Sequence, residues 1–238
     1  MTNEVLLHTT RRRWEALAGA PAAFPEPGRA AVVVSPRSGL CPPGWLGLVT
    51  LGGSVLATAP DERRARLLRA ALREHPADLA GDAERLRPLL PIGDLLGPAT
   101  LSYLAPDALL PHLGTVHQLP GDDPGLRDLE QRTGVADAEE SGLAGLTSPV
   151  FAVLAEDGRV LAACGYRTWP FGIAHLGVLT DPAHRARGLA RRAASPAARH
   201  ALAAGLLPQW RARIPASRRV AARLGFRELG TQLSLFIR

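Results

Sequence analysis

Between an apolar run, Ile173 to Leu179, and a stretch rich in alanine and arginine lies the turn Arg185-Ala-Arg-Gly-Leu-Ala190. A small-residue turn that feeds a helix leaves the first N–H groups of that helix without intrahelical acceptors, and the helix dipole adds partial positive charge. Such a terminus binds a phosphate or pyrophosphate through the backbone alone. Gly188 suits it, because a Cβ there would obstruct close approach of an anion to the main chain. Arg185, Arg187 and Arg191 can add charged hydrogen bonds to phosphate oxygens, although each also reads as a solvated surface charge.

The elements that must position this turn follow from pattern. Ile173 to Leu179 is long enough for one buried strand, and Thr180-Asp181-Pro182 ends it, because proline lacks an N–H and fixes its own φ. A long helix is expected from Leu189 to Ala204 with Gly205 as C-cap, kinked or displaced at Pro196. Upstream, Val150 to Ala155 and Val160 to Tyr166 form a hairpin through Asp157-Gly158, and helices are expected over 124–132 and 136–143. Downstream come a short strand (206–213), a helix (217–224) capped by Ser217, and a terminal strand (229–237). Residues 113–238 form one domain on this reading. Residues 1–112 form an α+β domain with a strand at 30–34, a Gly52-Gly53 hairpin within 45–59, a helix after the Asp61 N-cap, and no chemical constellation.

Composition excludes several classes. The chain has 238 residues, 46% of them hydrophobic, and no apolar run near the roughly 18 residues that span a bilayer. The polar N-terminus has no signal-peptide core, so the expectation is a cytoplasmic protein with no membrane partner. Cys41 and Cys164 have neither disulfide-framework nor metal-ligand spacing, and no metal is expected. All 28 basic residues are arginine, a bias that fits a GC-rich, bacterial-looking coding sequence. With aromatics at 5% and no nucleic-acid motif, nucleic acid is the weaker reading of the net charge of +6.

Arg185-x-x-Gly188-x-Ala190 after a strand ending Val-Leu-Thr resembles the acyl-CoA signature of the GCN5-related N-acetyltransferase (GNAT) superfamily. Ser217-Arg-Arg-Val-Ala-Ala-Arg-Leu-Gly-Phe226 is similar to that superfamily's C-terminal helix. The element order also agrees. The resemblance implies an α/β (α+β) fold, with a mixed and mostly antiparallel central sheet, for residues 113–238. The first 112 residues are either a separate α+β domain or a diverged GNAT-like half.

The resemblance further implies transfer of an acetyl group from acetyl-CoA to a primary amine of a small molecule. The pantetheine arm would pair with Val178, Leu179 and Thr180, and the pyrophosphate with Arg185, Ala186, Arg187, Gly188, Leu189 and Ala190. His175 stands near the position where many members carry a basic glutamate, and an imidazole titrating near neutrality suits a general base. Glu139 and Glu140 are rival bases, with an exposed helix face the plainer role for both. Ser217 could reach the CoA arm, whereas the tyrosine and asparagine that many members place near the leaving thiolate are absent, Ile214 standing at the latter position. Trp169 and Glu140 would border the acceptor, and Trp210 would flank the acyl end or pack in the core. A homodimer is allowed. The alternative is a non-catalytic acyl-CoA-binding sensor or interaction module that keeps the cleft and has lost the chemistry.

Overall fold

The computed structural model describes residues 2–238 and divides into two units, Met1–Leu101 with Glu228–Arg238, and Ser102–Arg227. In the first unit, helix α1 (Asn3–Leu17) precedes strands β1 (Ala30–Val34), β2 (Leu46–Leu51) and β3 (Ser54–Ala59). Gly52 and Gly53 both adopt left-handed φ (57° and 76°), the geometry of a tight turn matched to strand twist, so β2 and β3 form the expected antiparallel hairpin. Helix α2 (Glu62–Ala71) starts where Asp61 accepts from the Arg64 N–H at 2.8 Å. Two single-turn helices, α3 (Pro76–Leu79) and α4 (Ala83–Leu86), come next. Strand β4 (Ile92–Tyr103) follows, its last two residues lying in the second unit.

The second unit runs β5 (His117–Leu119), α5 (Pro124–Thr133), α6 (Val135–Ser141), β6 (Val150–Leu154), β7 (Val160–Trp169), β8 (Ile173–Thr180), α7 (Leu189–Ala203), β9 (Leu207–Ala212) and α8 (Pro215–Arg223). Its strands are ordered β9-β8-β7-β6-β5, antiparallel except for β8 with β9. One face of β8 packs on α7 through Ala174, Leu176 and Ala193, Ala194, Ala197 and Ala198. The alanines bring the helix close to the sheet, and α7 runs from Leu189 through Pro196, so its start is not displaced to that proline. The other face, carrying Leu179, packs on Leu126 and Leu129 of α5 and on Leu143. Helix α8 begins two residues earlier than expected, with Ile214 as N-cap and Pro215 at the first helical position. Proline is pre-set for that position, so Ser217 falls inside the first turn instead of capping it.

The terminal strand β10 (Arg227–Ile237) pairs antiparallel with β2 from Gly230↔Leu51 to Leu235↔Leu46. Except for Arg227 it belongs to the first unit, whose strand order is β1-β3-β2-β10-β4. A local reading of residues 229–237 assigned that strand to the C-terminal domain. Its Leu233, Leu235 and Ile237 instead complete the core of α2, α3 and α4. No described helix is long and apolar enough to cross a membrane.

Candidate functional site

Strands β8 and β9 pair in register at only three positions, Ile173↔Leu207, Ala174↔Pro208 and His175↔Gln209. Each strand continues beyond that point without a partner in the other, so a gap opens between them. On the opposite edge β8 stays paired with β7 as far as Ala162↔Thr180. The Asp181 N–H donates to Leu161 O at 2.9 Å. Ladder bonds in an antiparallel pair recur at alternate residues, so Leu179 and Gly177 also bond toward β7. The peptide groups of Leu176, Val178 and Thr180 therefore face the gap. Of the three residues expected to pair with a cofactor arm, Val178 and Thr180 present their backbone to it, and Leu179 spends its own on Ala163.

Beyond β8 the chain makes a 3₁₀ turn at Pro182–His184, anchored by the Asp181 carboxylate. Asp181, 4% exposed, accepts from the Ala183 N–H at 3.0 Å and from Arg132 Nε at 3.0 Å. Burial works to raise its pKa, but the Arg132 and Ala183 bonds and His184 outweigh that and hold it below the usual carboxylate range. Arg132 also donates to Val160 O at 2.6 Å, so α5 is tied to the start of the turn.

The turn ends with Ala186 and Gly188 in left-handed conformation (φ 63° and 79°). Gly188 is the N-cap of α7, without side-chain capping, and the N–H groups of Leu189 and Ala190 open the helix. A Cβ on Gly188 would stand 3.3 Å from His112 Nε2. The positive φ thus calls for glycine, and the His112 contact would need that side chain to shift slightly. Arg187 is exposed and Arg191 Nε is buried without an acceptor, whereas Arg185 is engaged, donating to Asp137 Oδ2 at 2.6 Å. The gap and turn fit an acyl-CoA. The strand edge offers peptide groups to the amides of its arm, and the turn offers N–H groups and arginines to its phosphates.

At the closed end of the gap His175 lies between Arg167, its register partner on β7, and Gln209 on β9. Gln209, fully buried, donates from Nε2 to Tyr103 Oη at 2.7 Å, leaving Oε1 to accept from His175 Nδ1 at 3.1 Å. On that network His175 is the Nδ1–H tautomer with its lone pair on Nε2. Its ring stacks on Trp169 with centroids 4.7 Å apart, and the Arg211 guanidinium lies 5.6 Å from the Trp169 centroid. Burial first, then Arg211 and Arg167, push the His175 pKa down to about 3 against the opposing Gln209 bond.

The remaining expected residues are held elsewhere. Glu140 on α6 binds Arg213 through both carboxylate oxygens. Ser217 Oγ accepts from Trp210 Nε1 at 2.9 Å, and Trp210 packs edge-on against Phe226 in the core. Sequence reasoning passed over Gln209, Arg211, Tyr103 and His112. The first two had a signal, because in Leu-Pro-Gln-Trp-Arg-Ala alternate residues share a face of the strand.

Residues 151–231, from β6 into β10, match the model of the GNAT acetyltransferase family. No curated protein matches the chain. Among solved structures, a GNAT-family protein from Novosphingobium aromaticivorans is 23% identical with a TM-score of 0.45, the match covering 60% of this chain and 65% of that one. A GCN5-related N-acetyltransferase from Kribbella flavida is 20% identical with a TM-score of 0.48, covering 65% and 63%. A Salmonella typhimurium protein solved with its cofactor acetyl-CoA is 18% identical with a TM-score of 0.38, covering 53% and 94%. The match thus spans less than two thirds of the length of the first two. The chain thus matches the GNAT acetyltransferase family over residues 151–231, about a third of its length, and has the mixed α/β fold of such proteins.

Proposed function

We propose that the chain is an acyl-CoA-dependent N-acetyltransferase that moves acetyl from acetyl-CoA to a primary amine of a small molecule. One observation carries this reading: β8 and β9 part after His175↔Gln209, and the strand edge so freed runs straight into a glycine-capped helix N-terminus. Val178 and Thr180 hold the pantetheine amides through their peptide groups. The N–H groups around Gly188, Leu189 and Ala190, with Arg187 and Arg191, hold the phosphates. Arg185 supports the turn through Asp137.

The amine nitrogen attacks the thioester carbonyl, the N–C bond forms, and the C–S bond breaks with its electron pair leaving on sulfur. One proton of the acceptor ammonium is lost to solvent before attack, and the second passes to the departing thiolate. His175 Nε2 accepts a hydrogen bond from the incoming amine and orients it. At a pKa of about 3 it is too weak to carry the proton away from an ammonium. Trp169 forms the wall behind His175.

Calorimetry with acetyl-CoA on the wild type and on Gly188→Trp tests the reading, with circular dichroism as the folding control. Binding in the micromolar range, abolished by the substitution, is the expected result. A folded wild type that does not bind acetyl-CoA overturns it. The weak basicity of His175 and the engagement of Glu140 by Arg213 favour a second reading, a non-catalytic acyl-CoA-binding module. A chain that binds acetyl-CoA but releases no free thiol with any amine would be that module.

A further inference from the structure

Arg211 is left over by everything described so far. Among the described residues it has no ion pair, and its Nε is buried without an acceptor. Arg213, by contrast, is matched by Glu140, and Arg185 by Asp137. Burial disfavours the Arg211 charge, and a buried donor without an acceptor costs stability. Arg211 also lies past Gln209, the last residue of β9 paired with β8, and so where the gap has opened. The alternation of the strand puts it on the face that carries Gln209, and its guanidinium reaches over Trp169, which stacks on His175. Arg167, exposed and without a salt bridge among the described residues, flanks His175 from the other side.

Arg167, Arg211 and Arg213 against Glu140 leave a formal excess of two positive charges beside the neutral His175. A polyamine or plain alkylammonium would be repelled from such a site. An acceptor that brings its own anion would be admitted. The fork of a guanidinium takes a carboxylate through two parallel bonds, and with Nε buried the two Nη atoms are the ones that offer them. The phosphates of the donor are already provided for at the Gly188 turn. We infer that the acceptor is a carboxylate-bearing amine of amino-acid type, its carboxylate held by Arg211 while its amine faces His175 Nε2. The inference rests on the acetyl-transfer reading above and makes Arg211 its specificity-determining residue.

The experiment measures thiol release from acetyl-CoA by the full chain, using the standard L-amino acids and, in parallel, their α-amides. The amide keeps the amine and side chain and removes only the negative charge. For the accepted amino acid, kcat/KM should exceed that of its amide by at least about 30-fold, since loss of a paired buried charge costs that much or more. In Arg211→Gln the free acid should fall to the level of its amide, losing far more than the amide does, while acetyl-CoA binding stays as in the wild type. Arg211→Lys, which keeps the charge without the fork, should fall between. Equal rates for acid and amide, turnover only of amines without a carboxylate such as spermidine, or equal losses for acid and amide in Arg211→Gln would overturn this inference and leave acetyl transfer standing. Binding of acetyl-CoA with no thiol release from any of these amines would overturn both.

Discussion

Replacing His175 with glutamine should flatten the acid side of the stability profile. In the folded chain the imidazole stays neutral down to about pH 3, whereas its ordinary value is 6.5. As pH falls through that ordinary value, the unfolded chain takes up a proton that the folded chain refuses, so acid favours unfolding. Stability from this group is thus present above the unfolded pKa and is lost as pH falls below it, down to the folded pKa. Between about pH 7.5 and about pH 5 the loss integrates to about 2 kcal/mol, within a total stability of roughly 5–15 kcal/mol. Urea unfolding followed by tryptophan fluorescence at several pH values measures it for both proteins. The other six of the seven histidines are common to both and cancel in the comparison. Wild type should lose about 2 kcal/mol more than His175→Gln over that interval. Arg211→Gln, by removing a nearby positive charge, should raise the His175 pKa and shrink the difference. Parallel profiles for wild type and His175→Gln would refute the buried, neutral imidazole, and with it the claim that His175 orients the amine without deprotonating it.

Two further predictions concern the frame around the gap. A Cβ on Gly177 would fall 2.3 Å from Ser141 O, so Gly177→Ala should push α6 away from β8 and destabilise the chain by about 1–3 kcal/mol in chemical unfolding. Asp181→Asn should cost about 1–3 kcal/mol by leaving Arg132 without its anionic partner, again read by chemical unfolding. Because the Asp181 pKa is lowered in the fold, its contribution is present above the ordinary carboxylate value and disappears as pH falls through the lower folded one. The deficit of Asp181→Asn should therefore be full at neutral pH and vanish at strongly acid pH.

Most of the second unit could be read in the sequence because its signals are local. Asp157-Gly158 marks a hairpin, Pro182 a strand end and Gly188 a helix start, and each acts within a few residues of itself. What escaped depends on partners far away in sequence. Nothing within 229–237 says that Leu233 and Leu235 complete a core built by α2 and α4, because any apolar edge strand reads the same. The distance over which β8 and β9 stay paired is likewise set by packing and has no residue signature. Arg185 and Glu140 were legible as charges, but whether a charge is free or matched depends on the opposite charge, here Asp137 and Arg213, 48 and 73 positions away. Gln209 and Arg211 were the nearest miss, since strand alternation alone places them on one face.

The absence of a strong base from the gap is consistent with the charge around it. On the proposed reaction, an ammonium beside Arg167 and Arg211 is disfavoured for the same reason as a protonated His175, so an acceptor amine's own pKa would fall on entering the site. A carboxylate seated on Arg211, as inferred above, would cancel one of those charges and secure the acceptor, while Arg167 would continue to oppose protonation of the amine. The nucleophile would then become neutral by loss of its proton to solvent, and the side chain it meets would need only to accept a hydrogen bond. The Gln209 and Tyr103 contacts serve that need, holding Nδ1 protonated and turning the Nε2 lone pair outward. A carboxylate base in the same place would pair with these arginines, as Glu140 does with Arg213, and be lost to the reaction. In a gap lined with arginines, a neutral histidine is the acceptor that stays available.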